Sequence, residues 1–284
     1  MQVQEQTMKI TAEFEAELKD TARRLRIEVI KMLAKAGSGH PGGSLGMADI
    51  FTCLYWGGFV KHDPKNPQWE DRDRVVLSNG HICPILYAVL AERGYFPHEW
   101  LSDLRQPGAH LQGHPAMDKT PGVELSTGSL GHGVCGALGM ALAERQSGKP
   151  THVWALVGDG ELEEGLPWEA FMAASHYKAS NFTVIIDRND AQIDGTTEDV
   201  MSLEPLDKKM EAFGFHTLII DGHNYAEILG AMQEAKNTNG KPTCIIAKTI
   251  MGKGVSYMEN DGYKWHGKTP NEELAKQALN ELGA

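Results

Sequence analysis

Cysteine and long apolar runs are scarce in this 284-residue sequence. Its four cysteines lie among apolar neighbours without paired spacing, which is typical of reduced thiols in a core rather than of disulfides or a zinc site. No apolar run approaches the roughly 20 residues that a membrane helix needs. The segment from Met1 to Lys9 is polar and lacks the basic and apolar regions of a secretory leader. We therefore expect a soluble, cytoplasmic protein with no membrane partner.

Positively charged residues are also few. Lysine and arginine total 27 against 38 aspartates and glutamates, so the formal net charge is -11. Such a charge opposes binding to nucleic acid or to anionic membranes. An anionic ligand would therefore need a bound cation or oriented backbone amides.

The chain is long enough, with 41% hydrophobic residues, to bury a substantial core. No repeat, linker or change of composition divides it, so residues 1–284 are predicted to form a single domain. Apolar spacing predicts a long amphipathic helix over Ala12–Ala36, ended by Gly37. Further helices are predicted over 47–57, 84–93, 98–105 and 131–145, with a short strand over 74–77 and a functional loop over 106–131. In the helix over 131–145, we expect close packing against a neighbour to compensate for Gly133, Gly136 and Gly139.

From residue 152 the pattern changes to alternating apolar strands and helices. Strands are predicted over 152–157, 182–187, 216–221 and 243–247, separated by helices over 166–177, 205–213 and 225–238, and a helix over 271–282 closes the chain. Strands joined by helical crossovers form parallel sheets. The predicted fold class is therefore α/β, a doubly wound parallel sheet with helices on both faces. Ligands of such sheets bind beyond the carboxyl ends of the strands.

Two of these strands deliver polar motifs to their carboxyl ends. Gly158-Asp159-Gly160 follows the first strand, and Asn189 follows the second. Glycine lets the backbone approach an anion closely, and the Asp159 carboxylate is a hard ligand for a divalent cation. Neighbouring strand ends would then present an aspartate and an asparagine oxygen to one ion that also holds a diphosphate. An ordinary turn after a strand is the alternative interpretation of Gly-Asp-Gly.

Three glutamates come directly after this motif, at Glu161, Glu163 and Glu164. We expect them to form a negatively charged first helical turn that the helix dipole stabilises.

Four histidines lie in loops rich in glycine and proline, namely His40, His81, His114 and His266. Singly, each such histidine is more often a capping or surface residue. Together, and without the spacing of a zinc site, neutral imidazoles clustered near a diphosphate suit hydrogen bonding and proton transfer near neutral pH.

These motifs, in this order, resemble the transketolase family. The resemblance is carried by Ser38-Gly39-His40-Pro41-Gly42, Leu77-Ser78-Asn79-Gly80-His81, Gly113-His114-Pro115, Thr127-Gly128-Ser129-Leu130-Gly131, Gly158-Asp159-Gly160, Asn189, Ile193-Asp194-Gly195 and His266-Gly267. It runs from Leu18 to the end of the chain, but it spans only the family's first, diphosphate-binding domain. The resemblance does not extend to the pyrimidine-binding and C-terminal domains of a full-length member. The chain therefore resembles the N-terminal subunit of a transketolase that is split into two chains.

The resemblance implies that thiamine diphosphate is the cofactor, held with Mg²⁺ or with Ca²⁺ or Mn²⁺ in its place. It implies that Asp159, Asn189 and the main-chain carbonyl of Ala191 bind the ion. The cofactor-binding residues that it implies are His81, Gly128, Leu130, Gly160, Glu164, Asn189, Ile193 and His266. His40, His114 and His266 are the implied catalytic residues.

The reaction that the resemblance implies is transfer of a two-carbon ketol unit from a ketose phosphate to an aldose phosphate. The glutamate that activates the cofactor belongs to the family's second domain. A separate C-terminal subunit is therefore the expected partner, in an α₂β₂ tetramer.

Three alternatives stay open at this point. They are the α subunit of a 2-oxoacid dehydrogenase, a deoxyxylulose-phosphate synthase and a non-catalytic cofactor-binding subunit. The loops at His40 and His81 argue against the first, and the loop at His114 argues against the second.

Overall fold

The computed structural model describes residues 10–284, so Met1 to Lys9, at the start of the predicted domain 1–284, lie outside the described residues. The strands, in chain order, are β1 (Arg74–Leu77), β2 (Val153–Gly158), β3 (Phe182–Arg188), β4 (Ala191–Gln192), β5 (Gly195–Thr196), β6 (His216–Asp221) and β7 (Thr243–Lys248). Five of them form one sheet in the order β1-β2-β3-β7-β6, in which every neighbouring pair is parallel. Strands β4 and β5 form a small antiparallel hairpin.

The helices that surround the sheet are α1 (Ala12–Ala36), α2 (Pro41–Gly46), α3 (Ala48–Trp56), α4 (Cys83–Glu92), α5 (His132–Gln146), α6 (Gly165–His176), α7 (Thr197–Val200), α8 (Leu206–Ala212), α9 (Tyr225–Asn237), α10 (Ser256–Asp261) and α11 (Glu272–Glu281). Short 3₁₀ turns add Gly80–Ile82, His98–Asp103, Gly160–Glu163 and Gly262–Trp265.

Side chains that alternate along the strands fill both faces of the sheet. Trp154 and Ile185 lie in a core with residues of α1, α3, α4 and α9. Ala155 and Val184 point to the other face and pack with residues of α5, α6 and α8. Strands covered on both faces need apolar residues at every position, which explains the continuous apolar runs in the sequence. The predicted doubly wound α/β fold is confirmed.

Helix α1 lies across one face of the sheet and follows the predicted pattern. The side chain of Thr11 accepts a hydrogen bond from the amide of Phe14 at its start, and Gly37 ends it in the left-handed conformation at φ 66°. Its predicted apolar positions, from Leu18 to Leu33, are buried. Neither α1 nor any other helix in residues 10–284 is long and apolar enough to cross a membrane.

The hairpin β4–β5 and the helices α7 and α10 lie where the sequence predicted no element, and two predicted segments have a different structure. Part of the glycine-rich loop after Gly37 is the short helix α2, because Pro41 in its first turn has a φ angle that suits a helix start. The helix predicted over 98–105 is only the 3₁₀ turn His98–Asp103. Arg105 adopts a left-handed φ of 62° and its amide donates to the carbonyl of Leu111 at 2.9 Å, so the chain turns into the following loop.

Helix α5 contains three glycines whose surroundings differ. A Cβ built on Gly133 would lie 2.5 Å from Cα of Ser78, and one on Gly136 would lie 2.5 Å from Cδ2 of Leu125. Close packing is therefore confirmed at these two glycines. Within this chain it is wrong for Gly139, where no atom of the described residues lies within 4 Å of a built Cβ, apart from the adjacent backbone of α5.

We expect Gly133→Ala to destabilise the chain. The added methyl group would collide with the backbone of Ser78, and this cost outweighs the roughly 1 kcal/mol gained in helix propensity. Gly139→Ala is the matched control and should raise the free energy of unfolding by up to about 1 kcal/mol. Thermal unfolding of both purified chains measures the difference. Equal melting temperatures would contradict the packing assigned to Gly133.

Candidate active site

The carboxyl ends of β1, β2 and β3 border one cavity of about 270 Å³. In the parallel register of β2 with β3, Gly158 lies opposite Asp187. The next residue, Asp159, accepts a hydrogen bond through Oδ2 from the amide of Asp190 at 2.7 Å. The two strand-end motifs found in the sequence are therefore in contact.

The three predicted cation ligands, Asp159, Asn189 and Ala191, line this cavity together. Asn189 accepts a hydrogen bond from the amide of Ala191 at 3.1 Å, and its side-chain amide donates to Asp187 at 2.9 Å. Within residues 10–284, no group of three or more histidine, cysteine, aspartate or glutamate side chains is placed to hold a metal. The chain can thus offer an ion one carboxylate, one amide oxygen and one carbonyl. An octahedral ion takes its other oxygens from a ligand or from water.

Arg188 is a residue of the site that the sequence reasoning missed. Its side chain is 5% exposed and pairs with Asp159 at 3.1 Å, and also with Asp190, Glu198 and Glu204. These pairs connect α7, through Glu198, to Asp159 and to Asp190, which directly precedes the β4–β5 hairpin. No local pattern reveals this role, because Asp159 lies 29 residues away in the sequence.

The carboxylates beneath the cavity are shifted towards higher pKa. Burial raises the pKa of Asp159 to about 7, with a further contribution from Asp187, while the Arg188 guanidinium opposes the shift. Burial also raises the pKa of Asp187 to about 6, although Thr249 and Asn189 donate hydrogen bonds to it. When hydrogen bonds and ion pairs only partly offset the cost of burying an ionised carboxylate, a nearby positive charge stabilises it. The floor of the site therefore favours a cation.

The four histidines predicted from their loops form one cluster. The ring centroids of His40 and His81 lie 5.0 Å apart, those of His40 and His266 5.7 Å, and those of His81 and His114 4.7 Å. Burial, with a smaller contribution from the neighbouring histidines, lowers the pKa of His40 to about 3 and that of His81 to about 4. Burial also lowers the pKa of His114 and of His266. The cluster is therefore neutral at pH 7.

Three of these imidazoles have a buried nitrogen without a hydrogen-bond partner among residues 10–284. These atoms are Nδ1 of His40, Nε2 of His114 and Nδ1 of His266, and Oδ1 of Asn79 beside the cavity is likewise unpaired. Buried polar groups in folded proteins normally have a partner. The site therefore fits a ligand that is rich in polar atoms, such as a diphosphate or a sugar.

Two glycines allow close approach at the site. Gly128 has φ 138°, and a Cβ built on it would lie 2.8 Å from Cδ2 of His114. A Cβ on Gly160 would lie 2.9 Å from Cβ of Gln192. His114 lies beside His81, and Gly128 lies beside His114, but neither residue lines the cavity. The other predicted cofactor-binding residues do line it, namely His81, Leu130, Gly160, Glu164, Asn189, Ile193 and His266.

The three glutamates after Gly160 differ in position. Glu161 is 2% exposed, and its carboxylate accepts hydrogen bonds from the amides of Gly131 and Gly158. Glu161 and Glu163 do lie in a first helical turn, the 3₁₀ turn Gly160–Glu163, but this turn directs Glu161 into the protein. Glu164 is exposed at the N-terminus of α6.

Comparisons with known proteins agree with this geometry. The family model of the transketolase thiamine diphosphate-binding domain matches residues 17–284. The chain is 43% identical to the 6-deoxy-6-sulfo-D-fructose transketolase subunit SqwG of Clostridium sp. (strain MSTE9), across 95% of this chain and 98% of that protein. It is 41% identical to an apulose-4-phosphate transketolase subunit of Actinobacillus succinogenes, across 94% of this chain and 96% of that protein. The crystal structure of transketolase from Campylobacter jejuni matches with a TM-score of 0.89 at 39% identity, across 96% of this chain and 43% of that chain.

The chain belongs to the transketolase family. It corresponds to the thiamine diphosphate-binding domain of that family. It spans about two fifths of the solved transketolase chains that it matches, 43% for the one above. The two similar subunits are matched over nearly their whole length, so a transketolase domain of this size occurs in relatives that are named as subunits.

We expect Asp159→Ala to abolish binding of thiamine diphosphate. The chain carries a net charge of -11 and needs a cation to neutralise a diphosphate. Calorimetry in Mg²⁺ and in EDTA, with the chain assembled with the expected partner subunit, measures this. Asp73→Asn is a suitable control, because Asp73 is a buried carboxylate that accepts backbone hydrogen bonds at the opposite end of the sheet. EDTA-insensitive binding by the Asp159 variant would contradict the assignment.

Proposed function

We propose that this chain is the N-terminal subunit of a split, thiamine diphosphate-dependent transketolase of the cytoplasm, with residues 1–284 as one cofactor-binding domain. With a separate C-terminal subunit, it transfers a two-carbon ketol unit from a ketose phosphate to an aldose phosphate. The observation that carries the proposal is the convergence of Asp159, Asn189, Ala191 and the histidine cluster at one edge of the sheet. The nearly full-length match to relatives named as transketolase subunits supports the split.

The diphosphate half of the cofactor is assigned to the cavity at the ends of β2 and β3. Asp159, Asn189 and the carbonyl of Ala191 would hold Mg²⁺, or Ca²⁺ or Mn²⁺ in its place. The amide of Gly160 and the imidazole of His81 would donate to the diphosphate. The raised pKa values of the buried acids and the unpaired polar atoms support this assignment.

The rest of the cofactor is assigned to residues beside the diphosphate position. Gly128 and Leu130 would hold the aminopyrimidine through backbone atoms, and Ile193, which is 65% exposed, would pack against the thiazolium. His266 would lie beside the diphosphate. Glu164, exposed at the start of α6, would face the subunit interface.

The reaction divides between cofactor and protein. When bound, thiamine diphosphate supplies the carbanion chemistry that cleaves and forms the carbon–carbon bond. His114 would bind the first hydroxyl of the donor ketose through its unpaired Nε2. His40 and His266, each with an unpaired Nδ1, would accept and return the proton of a sugar hydroxyl. Each imidazole can accept the proton in its neutral form, and the lowered pKa favours return of the proton to the sugar.

The glutamate that activates the cofactor and the groups that bind substrate phosphate are assigned to the partner subunit. Helix α5 supports an interface with another chain. Along one side of it Gly139 and Ala143 are exposed, and Cys135 and Met140 are half-buried. A closed twofold arrangement of two copies of each chain, α₂β₂, would cover this side.

We expect His114→Ala and His81→Ala to separate substrate chemistry from cofactor binding. His114→Ala should lower the turnover rate by about 10²–10⁴ or weaken binding of the donor sugar. It should leave the affinity for the cofactor nearly unchanged. His81→Ala should instead weaken cofactor binding. Steady-state kinetics together with calorimetry of cofactor binding provides the comparison. Equal losses of cofactor affinity in the two variants would contradict the assigned roles.

We expect the chain alone to lack ketol transfer and to gain it when mixed with its partner subunit. The assay follows transfer from a ketose to an aldose, with phosphorylated and sulfonated sugars as substrates, because the two similar subunits are named for one of each kind. Light scattering of the same samples measures the assembly. Strong activity from the chain alone would refute the split enzyme. An inactive mixture that still binds thiamine diphosphate would instead indicate a non-catalytic cofactor-binding subunit.

A further inference from the structure

Helix α5 is preceded by a glycine, which has no side chain to cap it. Gly131 is the residue before the helix and has φ 86°. The first amides of a helix have no partner within the helix, and a side chain near the start usually accepts from them. In α5 these acceptors come from two other loops.

Ser78 and Glu161 supply the two acceptors. Oε1 of Glu161 accepts from the amide of Gly131 at 2.7 Å, and Oγ of Ser78 accepts from the amide of Val134 at 2.9 Å. These are the two amides that the reciprocal side-chain bonds of a capping box satisfy, at the residue before the helix and at its third residue. The Ser78 hydroxyl in turn donates to Oε1 of Glu161, so the two side chains form one unit.

This unit also joins the strand ends beneath the cavity. Ser78 directly follows β1, and Oε2 of Glu161 accepts from the amide of Gly158 at the end of β2, at 3.3 Å. The absence of a side chain at Gly133 lets α5 approach Ser78 so closely. Both Ser78 and Glu161 are buried, at 0% and 2% exposed. A buried carboxylate with three donors is held in a single position.

The segment that precedes α5 carries Gly128 and Leu130, the residues assigned above to the pyrimidine half of the cofactor. Leu130 is adjacent to Gly131, and Glu161 is two residues from Asp159. We infer that Ser78 and Glu161 are positioning residues that hold the backbone of 128–131 in register with the cation-binding loop. The inference rests on the proposed function, and it adds that this unit aligns the two halves of the cofactor site.

The test compares two ligands that share only the diphosphate. Calorimetry of the chain assembled with its partner, in Mg²⁺, measures the affinity for thiamine diphosphate and for inorganic diphosphate. In Glu161→Gln the side-chain NH₂ group, which cannot accept a hydrogen bond, faces a backbone N–H. In Ser78→Ala the amide of Val134 loses its acceptor. Both variants should bind thiamine diphosphate at least about tenfold more weakly, because each disrupts a buried hydrogen bond. Their affinity for inorganic diphosphate should change less than twofold.

Hydrogen exchange on the full chain without cofactor gives a second measurement. Peptides that cover 128–135 should exchange faster in both variants than in the wild type, since their amides have lost acceptors. Asp73→Asn is the matched control. It removes the charge of another buried carboxylate, one that accepts from the amides of His152 and Lys61 far from the cavity. It should lower the melting temperature without changing exchange at 128–135 or the affinity ratio of the two ligands.

A parallel loss of affinity for both ligands, or no loss for either, would overturn the inference, and so would unchanged exchange at 128–135. A wild-type assembly that fails to bind thiamine diphosphate would refute the proposed function instead. The exchange measurement then decides by itself whether Ser78 and Glu161 hold the segment. Ser78→Ala removes one oxygen and no charge, so it provides a folded variant if Glu161→Gln does not fold.

Discussion

The parallel pairing of β2 with β3 is the constraint on which the site depends. Its register sets Gly158 opposite Asp187 and so brings Asp159 and Asn189 to the same edge of the sheet. A slip of one residue would turn every side chain of a strand to the other face. Both faces of these strands are buried against helices, so such a slip would misplace the whole core. The packing of the sheet therefore fixes the positions of the predicted cation ligands.

The same edge of the sheet carries buried carboxylates whose negative charge is only partly compensated by positive groups of the protein. Asp159, Asp187 and Glu161 are buried below the cavity, and burial raises the pKa of each. Arg188 pairs with Asp159, whereas the polar partners of Asp187 and Glu161 carry no positive charge. Above them the histidine cluster is neutral. A divalent cation lowers the cost of the buried acids and attracts the diphosphate, so one ion would serve both the fold and the ligand.

The parts of this arrangement that follow from local rules could be predicted from the sequence. Apolar periodicity indicated α1 and the strands, and the rule that parallel strands bind ligands at their carboxyl ends brought Asp159 and Asn189 together. The roles of Arg188 and Glu161 could not be predicted in this way. Arg188 bonds Asp159 across 29 residues, and Glu161 bonds Ser78 across 83, so their partners are defined only by the folded chain. Without those partners, a glutamate in a turn has the pattern of a solvated charge.

The hairpin β4–β5 presents exposed apolar side chains beside the cavity. It carries Ala191 at the cavity, and Arg188 pairs with Asp190 directly before it and with Glu198 in α7 directly after it. It also exposes Ile193 to 65%, and Val200 and Met201 in and after the adjoining α7 are exposed as well. Burying apolar surface of this kind is favourable by roughly 25 cal/mol for each Å². A partner chain or cofactor that covers Ile193 would bury apolar surface on the hairpin that carries Ala191, a predicted cation ligand. Assembly and cofactor binding would then stabilise each other.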